Sequence, residues 1–376
     1  MSNSFISVKE IARQALPRLI ENLVFPNLIH RDYSEDFQLG KGAKIQVRKP
    51  VVLNATEFNE ANGTTPEDIS EQSVDVTLDK IATVDTQLGA LERAVSVDDL
   101  NRIFIEPAAA ALAQKINSDG LSLYADIPYY AGTAGTTPDG LDDFANAEKV
   151  LNLNKAPVTP RNAVWNPDAD AAFKQIAAIV NAEKSGTTAA LRSGSIGRIF
   201  GLENYMTQAI KDHTPGTAIS GGATITAGAA AAKGDLAVKL KVATGTGTLV
   251  KGDLLTIGGK PYVVTGNADL STTAAEVGIY PALAAAVASA DAVTYVGSAT
   301  VTEYANNLAF CPQAFAFVTR PLLAPAGVES YTTAFNGISL RVVRGYDMKY
   351  KREMLSMDVL YGYKTMYPEL ATRILG

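Results

Sequence analysis

Histidine and cysteine, the side chains that most often do chemistry in enzymes, are scarce in this chain. Its 376 residues include two histidines, His30 and His213, and one cysteine, Cys311. A histidine metal pair, a Ser–His–Asp triad or a Cys–His pair would each need one of these residues. His30 follows a helical segment in a charged turn and His213 borders a segment of different composition, so we interpret both as surface or capping residues. Cys311 lies between Phe310 and Pro312, a setting typical of an inert buried thiol.

Three short stretches come close to catalytic or nucleotide-binding motifs, and each fails at a defined position. The run 193–197 (Ser-Gly-Ser-Ile-Gly) has serine where the nucleophile elbow requires its first glycine. In 245–250, Val250 stands where the dinucleotide fingerprint requires its third glycine. The pair 259–260 (Gly-Lys) is followed by Pro261 and lacks the upstream glycine of a phosphate-binding loop. We therefore predict neither a serine nucleophile nor a nucleotide site.

Carboxylate pairs are the remaining candidates for acid–base chemistry, since the chain has 39 Asp and Glu residues. The pairs at 98–99 and 142–143, and also Asp168 and Asp170, fall in the first turns of predicted helices. Negative charge there stabilises the helix dipole, which explains these residues without catalysis. The sequence thus predicts no catalytic residue, no cofactor-binding residue and no metal ligand.

Length and composition limit the class of protein. A chain of 376 residues exceeds the size at which one hydrophobic core stops growing, so we expect two or more domains. Its net charge of −6 argues against tight, sequence-independent nucleic-acid binding, which needs an excess of Lys and Arg. The N-terminus lacks the apolar core of a signal peptide, and no stretch approaches ~18 to 20 apolar residues. We expect a soluble protein made in a reducing cytoplasm.

The N-terminal segment is predicted to be an amphipathic arm without a core of its own. Over 7–28, apolar residues recur every four positions on one helical face, at Ile11, Ala15, Leu19 and Leu23. Pro17 should bend this helix or split it. We expect the arm to pack on another surface, such as that of a neighbouring subunit.

A second appendage follows the arm. Alternating apolar residues predict strands at 45–53 and 74–78, joined by a polar run at 54–73. Two such strands make an extended hairpin, and a solitary hairpin is only marginally stable in water. The hairpin therefore needs a partner surface.

The rest of the chain alternates between helical and strand patterns. A helix start at Ser96 predicts a long helix ending near Tyr124, and a further helix is predicted over 142–151. Asn166 and Pro167 predict the start of a third helix, which leads into 171–182. Alternating apolar residues at 338–342, and strand-like runs over 354–363, predict strands after the insert. Between 214 and 300 the chain lacks Arg, Phe, Met, Trp and His, and short alternating runs flank a Gly-Gly turn at 258–259. This composition predicts a small β-barrel or sandwich inserted into a larger fold.

The stretch from Leu191 to Tyr205 carries the strongest resemblance to a known family. Its glycines, Gly194, Gly197 and Gly201, stand among single apolar residues and predict tight turns feeding a short buried strand. This stretch resembles the major capsid (coat) proteins of tailed double-stranded-DNA phages, in particular the short-tailed-phage coat proteins with an inserted β-domain. Five further segments show the same resemblance in the same order along the chain: 22–33, 40–50, 307–317, 358–362 and 367–373.

The resemblance implies an α+β, HK-ninety-seven-type capsid fold with an N-terminal arm, an extended β-hairpin loop, a spine helix, axial and peripheral domains, and an inserted small all-β domain. The implied division is an arm at 1–34, the extended loop and peripheral domain with the spine helix at 35–129, the axial domain at 130–212, the inserted barrel-like domain at 213–300, and completion of the axial and peripheral domains at 301–376.

The resemblance also implies a structural protein and no enzyme. The subunit would self-assemble as hexamers and pentamers into the icosahedral procapsid and head shell. Its expected partners are its own copies, a scaffolding protein and a portal protein, and the shell would enclose double-stranded DNA without sequence-specific binding or contact with a membrane. The expected location is the virion capsid, assembled in the host bacterial cytoplasm.

For the contacts between subunits we predict charge pairing between the hairpin tip and a neighbour. The acidic residues of the tip are Glu57, Glu60, Glu67, Asp68 and Glu71, and the basic candidates are Arg48, Lys49, Arg341 and Arg344.

Two alternative functions stay open at this point. One is an encapsulin-like bacterial compartment shell. The other is a hydrolase with a carbohydrate-binding β-module, which would need an aromatic platform, and the insert offers Tyr262, Tyr280 and Tyr295.

Overall fold

The computed structural model describes residues 8–31, 44–48, 73–88, 105–181, 189–218, 224–297, 301–325, 327–335, 337–348 and 352–376. The chain forms two compact units. Unit 1 comprises Met1–Leu16, Arg31–Val95 and Ala316–Met366, and unit 2 comprises Pro17–His30, Ser96–Phe315 and Tyr367–Gly376. Helices and strands are mixed along the chain, so the predicted α+β class is confirmed.

The α-helices of the described ranges are α1 (Val8–Asn22), α2 (Phe25–Leu28), α3 (Glu106–Leu121), α4 (Leu141–Leu153), α5 (Pro167–Phe173), α6 (Ala177–Val180) and α7 (Ala189–Ser193). Single 3₁₀ turns lie at Ser122–Asp126, Pro312–Ala314 and Pro368–Leu370. Of these described helices, none has the length and apolar character that crossing a bilayer requires.

The strands of the first half are β1 (Lys44–Arg48), β2 (Ser73–Thr77), β3 (Lys80–Leu88), β4 (Tyr130–Gly132), β5 (Asn162–Trp165), β6 (Arg198–Ile199), β7 (Leu202–Met206), β8 (Asp212–His213), β9 (Ile225–Ala227), β10 (Ala237–Val242) and β11 (Gly247–Leu249). Those of the second half are β12 (Leu254–Ile257), β13 (Lys260–Val264), β14 (Ala268–Leu270), β15 (Ala275–Tyr280), β16 (Ala292–Tyr295), β17 (Tyr304–Phe310), β18 (Phe315–Arg320), β19 (Glu329–Phe335), β20 (Ile338–Asp347), β21 (Arg352–Thr365) and β22 (Ala371–Leu375).

Unit 1 is built on a five-stranded antiparallel sheet whose long strand β21 pairs with β20 and with β3. The alternation predicted in this part of the chain places Leu340, Val342, Met357 and Val359 in the buried interior. Strands β1 and β2 form a separate two-stranded sheet, with Ile45 opposite Val76. The stem of the predicted extended hairpin is therefore confirmed, while its tip lies outside the described residues.

Unit 2 contains a seven-stranded mixed sheet in the order β4-β22-β17-β5-β7-β6, with β8 also paired to β17. Helices α4 and α5 contribute to the core of this unit through a cluster of three aromatic rings, Phe144, Trp165 and Phe173, with centroids 4.5 to 5.0 Å apart. The predicted helix start at Asn166 is confirmed, because its side-chain oxygen accepts a hydrogen bond from the Ala169 N–H at 3.0 Å.

The helix predicted over 171–182 is wrong in its extent. Helix α5 ends at Phe173, and the extended backbone of Ile176 (ψ 118°) separates it from the short helix α6. This break lets Phe173 and Ile179 join the same core cluster. Tertiary packing of two apolar residues overrides the helical propensity of an Ala-rich run.

The arm packs against its own chain, which corrects the expectation that it needs a neighbouring subunit. The apolar face at Ile11, Ala15, Leu19 and Leu23 is buried as the periodicity predicts. The helix divides after Asn22, not at Pro17.

Within unit 2, the side chain of Asn117 on α3 accepts hydrogen bonds from the Val24 and Phe25 N–H groups, both at 3.2 Å, and donates to the Asn22 carbonyl at 3.0 Å. One amide therefore satisfies the backbone groups exposed where α1 gives way to α2.

The ring of Phe25 completes this attachment. It lies 5.4 Å from the ring of Phe310 and 5.5 Å from that of Phe315.

The predicted long helix is present as α3, and its predicted start at Ser96 lies outside the described residues.

The insert forms a closed barrel of six antiparallel strands in the order β10-β15-β13-β12-β16-β9. Inward-facing residues alternate along β10, where Val238, Leu240 and Val242 are buried. Both glycines of the β12–β13 turn, Gly258 and Gly259, have positive φ, as a two-residue hairpin loop requires. Of the two predicted architectures, the barrel is the one observed.

Candidate functional site

The hairpin of β1 and β2 has one apolar and one polar face. Its polar face carries a Lys44–Asp75 ion pair and a hydrogen bond of 2.8 Å from the Gln46 amide to the Ser73 hydroxyl. On the other face, Val76 is fully buried. The apolar row thus anchors the hairpin at its root, and the cross-strand polar pairs set its register.

The root of the hairpin lies against β21 at a glycine. A Cβ atom on Gly362 would lie 1.9 Å from the Thr77 carbonyl oxygen. Only glycine allows the end of β2 to approach β21 this closely. Gly362 belongs to one of the segments that carry the family resemblance.

Arg341, one of the basic residues predicted to meet a neighbour, makes contacts within its own sheet. Its Nε donates to Asp358 Oδ2 at 3.0 Å, one terminal nitrogen donates to the same oxygen at 2.5 Å, and the other donates to the Leu323 carbonyl at 2.9 Å. Asp358 lies directly opposite Arg341 in the β20–β21 pairing. The side chain is only 21% exposed, so much of its hydrogen-bonding capacity is used inside the subunit.

The structure describes the other predicted contact residues less completely than Arg341. Arg344 lies opposite Glu329, with 3.9 Å between the guanidinium and the carboxylate. The backbone of Arg48 ends β1, opposite Ser73. Lys49 and the acidic tip residues Glu57, Glu60, Glu67, Asp68 and Glu71 lie outside the described residues. Intersubunit pairing by these nine residues stays a prediction.

A buried polar cluster joins the barrel to the sheet of unit 2, and Asp253 is at its centre. Its carboxylate is inaccessible to solvent and accepts five hydrogen bonds. The donors are the Val250 N–H at 2.8 Å, the Gly216 N–H at 3.1 Å from Oδ2 and 3.4 Å from Oδ1, the Tyr295 hydroxyl at 2.9 Å and His213 Nε2 at 2.8 Å. Burial and the adjacent carboxylate raise the pKa of Tyr295, which keeps its hydroxyl a donor.

His213 is part of this cluster, which corrects its interpretation as a surface or capping residue. The imidazole is buried, with Nε2 on Asp253 and Nδ1 at 3.0 Å from the Tyr124 hydroxyl. The carboxylate favours the tautomer with the proton on Nε2, so Nδ1 accepts from Tyr124. The end of α3, strand β8 and the β11–β12 turn are thereby tied together.

Arg373 of β22 completes the cluster. Its guanidinium is fully buried and donates through one terminal nitrogen to the Gly252 carbonyl at 2.7 Å. The guanidinium carbon also lies 5.2 Å from the centre of the Tyr124 ring, within cation–π range. Complete burial lowers the pKa of Arg373 to about 10, so the group is still charged at neutral pH.

Two contacts at the rim extend the junction. The Tyr280 hydroxyl donates to Glu369 at 3.1 Å, and Lys251 pairs with Asp126 at 3.1 Å. Between them lies an apolar layer that includes Leu254 and other residues of both parts, namely Ala134, Val263, Tyr304 and Leu375. We name the cluster of Tyr124, His213, Asp253, Tyr295, Tyr304 and Arg373 the barrel junction.

The residues that the sequence analysis weighed for chemistry are not grouped into a site in the described part of the chain. In that part of the chain, no group of three or more His, Cys, Asp or Glu side chains is placed to hold a metal ion. Cys311 is buried as predicted, and burial raises the pKa of its thiol. Ser195, in the near-elbow stretch, is exposed on the turn leading into β6.

The glycine-rich stretch that suggested the resemblance forms the edge of the seven-stranded sheet. Gly194, Gly197 and Gly201 all have positive φ, as predicted for tight turns. The strand that follows, β7, is buried only at Leu202, and Tyr205 and Met206 at its far end are exposed. The turns are confirmed, and the strand is less buried than expected.

The fold has counterparts among solved phage structures. A chain of Mycobacterium phage Che8 is 19% identical, with a TM-score of 0.54 over 94% of this chain and 90% of that chain. A chain of the bacteriophage PhiM1 mature capsid is 10% identical, with a TM-score of 0.49 over 94% of this chain and 86% of that one. A chain of the Ralstonia phage GP4 capsid is 10% identical, with a TM-score of 0.49 over 93% of this chain and 86% of that one.

The likeness to the Che8 chain, over nearly the whole length of both chains, shows the fold. It is the HK-ninety-seven-type fold with an inserted β-domain, as the resemblance implied, and that prediction is confirmed. No family model matches the sequence, and no curated protein matches it.

Proposed function

We propose that this chain is the major capsid subunit of a tailed double-stranded-DNA phage, a structural and non-enzymatic protein that assembles with its own copies into an icosahedral shell. The observation that carries the proposal is the shared fold with the Che8 phage chain over 94% of this chain. The expected location is the virion capsid, after assembly in the cytoplasm of the host.

The hairpin supports an assembly function. It forms its own two-stranded sheet, and its 24-residue connection at 49–72 contains five carboxylates and no Lys or Arg beyond Lys49. A two-stranded ribbon gains little stability alone, so a neighbouring copy is the surface we propose for it. Many modest contacts repeated by symmetry sum to a stable shell.

The arm gives this proposal less support than the sequence suggested, because its apolar face is buried by its own chain. Arg341 is already paired with Asp358 in its own sheet, so we propose that the acidic tip pairs with other basic groups of a neighbour. Arg48, Lys49 and Arg344 are the other basic candidates.

The tyrosines of the insert do not support the alternative function of a hydrolase with a carbohydrate-binding module. Tyr262 and Tyr295 are buried inside the barrel, and Tyr280 is half-buried with its hydroxyl on Glu369. The three rings therefore do not form the exposed platform that carbohydrate stacking needs.

We further propose the partners that the shell requires: a scaffolding protein during assembly, a portal protein at one vertex, and enclosed DNA that is not read by sequence. Hexamers and pentamers of the chain would make the shell, and the domain division given by the resemblance would hold within each subunit.

The decisive experiment is to express the full chain alone and with the scaffolding protein encoded beside it, and to examine both by sedimentation and electron microscopy. Shells of megadalton mass are expected with scaffold. A chain that stays a small monomer under both conditions would overturn the proposal. Shells that instead copurify with a neighbouring cargo enzyme would identify a bacterial compartment.

A further inference from the structure

Among the described residues of unit 2, two arginines are fully buried, and they differ in how their guanidinium groups are satisfied. Arg161 donates through Nε to the Pro157 carbonyl at 2.6 Å, and through one terminal nitrogen to the Ala156 carbonyl and the Asn152 side chain, both at 2.8 Å. Nε and this terminal nitrogen form one edge of the guanidinium group, and both donate to oxygen acceptors. Arg161 is a buried cation with a complete set of partners on that edge.

Arg373 lacks acceptors on the corresponding edge. Its NH1 bonds to the Gly252 carbonyl, whereas Nε and NH2 are buried without any hydrogen-bond partner. These two nitrogens lie on the same side of the guanidinium plane and form the parallel pair of donors that binds oxyanions and halides. Both donors of that edge are therefore buried without an acceptor.

Other unpartnered polar atoms lie on the same face of the sheet. Arg373 is directly opposite Leu308 in the β17–β22 pairing, so Asn306 and Tyr304, two and four residues along β17, share its face. The Tyr304 hydroxyl and Asn306 Oδ1 are both buried without partners. The hydroxyl is a third donor beside Nε and NH2, and a rotated Asn306 amide would supply a fourth.

The charges nearby do not neutralise Arg373 by contact. Asp253 is a fully buried carboxylate of the same junction, and its two oxygens accept hydrogen bonds from Gly216, Val250, His213 and Tyr295. Asp126 pairs with Lys251 at the rim. Because a buried cation without a contacting counter-ion is strongly unfavourable, a ligand of negative charge fits the Nε and NH2 edge.

We propose that the Nε and NH2 edge of Arg373, with the Tyr304 hydroxyl, binds a small monovalent inorganic anion of chloride or bromide size as a structural counter-ion at the barrel junction. The anion would be enclosed as the barrel docks on the sheet. This site is independent of shell assembly, so its test uses the full-length, unassembled subunit.

The experiment compares thermal unfolding of the wild-type chain, Arg373→Met, Tyr304→Phe and Arg161→Met in sodium salts at constant ionic strength. Bromide is titrated against a large organic anion that cannot enter the site. The wild-type Tm should rise by a few degrees and saturate, as ligand binding to the native state requires. The rise should vanish in Arg373→Met, need severalfold more bromide in Tyr304→Phe, and persist in Arg161→Met.

A direct measurement accompanies the titration: anomalous scattering from a crystal of the subunit soaked in bromide, with a peak expected within hydrogen-bond distance of Arg373 Nε. A water molecule at that position with no bromide peak would overturn the proposal. Equal stabilisation of wild type and Tyr304→Phe by bromide would also overturn it, and that comparison remains decisive if Arg373→Met does not fold.

Discussion

The β1–β2 hairpin and the inserted barrel both extend from larger sheets, yet they are stabilised in opposite ways. The hairpin stem has a single fully buried side chain, Val76, and an exposed ion pair on its other face. The barrel has a continuous apolar core and a buried polar junction centred on Asp253. The hairpin stem has little core of its own and is held at its root against β21, whereas the barrel has its own core and a buried junction with its sheet.

We propose that this difference suits the two regions to different functions. A segment with little core of its own is suited to contacts between copies, because it loses little stability in the subunit when it moves. A module fixed by buried hydrogen bonds is suited to holding parts of one subunit together. The predictions below test this division, from the largest expected effect to the smallest.

Removing residues 57–71 should abolish shell formation and leave the subunit folded. The deleted run lies beyond the β1–β2 stem, so the described cores of both units remain. Assembly is measured by sedimentation with scaffold, and folding by circular dichroism and thermal unfolding.

A matched variant separates charge from length. It keeps the tip but changes Glu57, Glu60, Glu67, Asp68 and Glu71 to their amides. Weakened assembly that no longer responds to salt is expected if the acids pair with a neighbour. Normal shells from the deletion would remove the hairpin from the assembly mechanism.

Asp253→Ala should destabilise the subunit by about 3–5 kcal/mol, because it leaves the Gly216 and Val250 N–H groups, the buried Tyr295 hydroxyl and buried His213 Nε2 without their acceptor. Chemical denaturation of the unassembled chain measures the loss. Asp269→Ala, at an exposed position on β14 of the same insert, serves as the control and should change stability by less than about 0.5 kcal/mol. Similar losses in both variants would contradict a central function for Asp253.

The sequence predicted the barrel better than its junction, and the reason is the range of the interactions. Strands β10, β12, β13 and β16 follow local alternation that is visible in the residues. Strand β9 lies in a low-complexity stretch of Ala, Gly and Thr, and it becomes a strand because it closes the barrel between β10 and β16. Such pairing is decided by residues far away in the chain.

The junction depends on even longer separations. His213 lies 40 residues from Asp253, and Arg373 lies 121 residues from Gly252. No local spacing indicates these contacts. One signal was present: an arginine within the otherwise uncharged strand Ala371–Leu375, where a charge implies a buried partner. Likewise, the arm's periodicity predicted its buried face but could not identify the surface that covers it.

Gly362→Ala should destabilise unit 1 by about 1–3 kcal/mol, because the added methyl group would overlap the Thr77 carbonyl and push the hairpin root off β21. Faster proteolysis within the hairpin should accompany the loss. Gly345→Ala, on β20 of the same sheet and with open space around its Cβ position, is the control and should be nearly neutral. If Gly362→Ala matched this control, the close approach at the root would not anchor the hairpin.

Lys44→Gln should cost the isolated subunit only about 0–1 kcal/mol, since Lys44 and Asp75 are 62% and 43% exposed and water screens their attraction. A double-mutant cycle with Asp75→Asn, repeated in high salt, measures the pair energy. In the proposed shell the same cycle, read from shell dissociation, should give a larger value if a neighbour covers the polar face of the stem. Equal values in subunit and shell would place that face in solvent, and the contacts between copies would then belong to the tip alone.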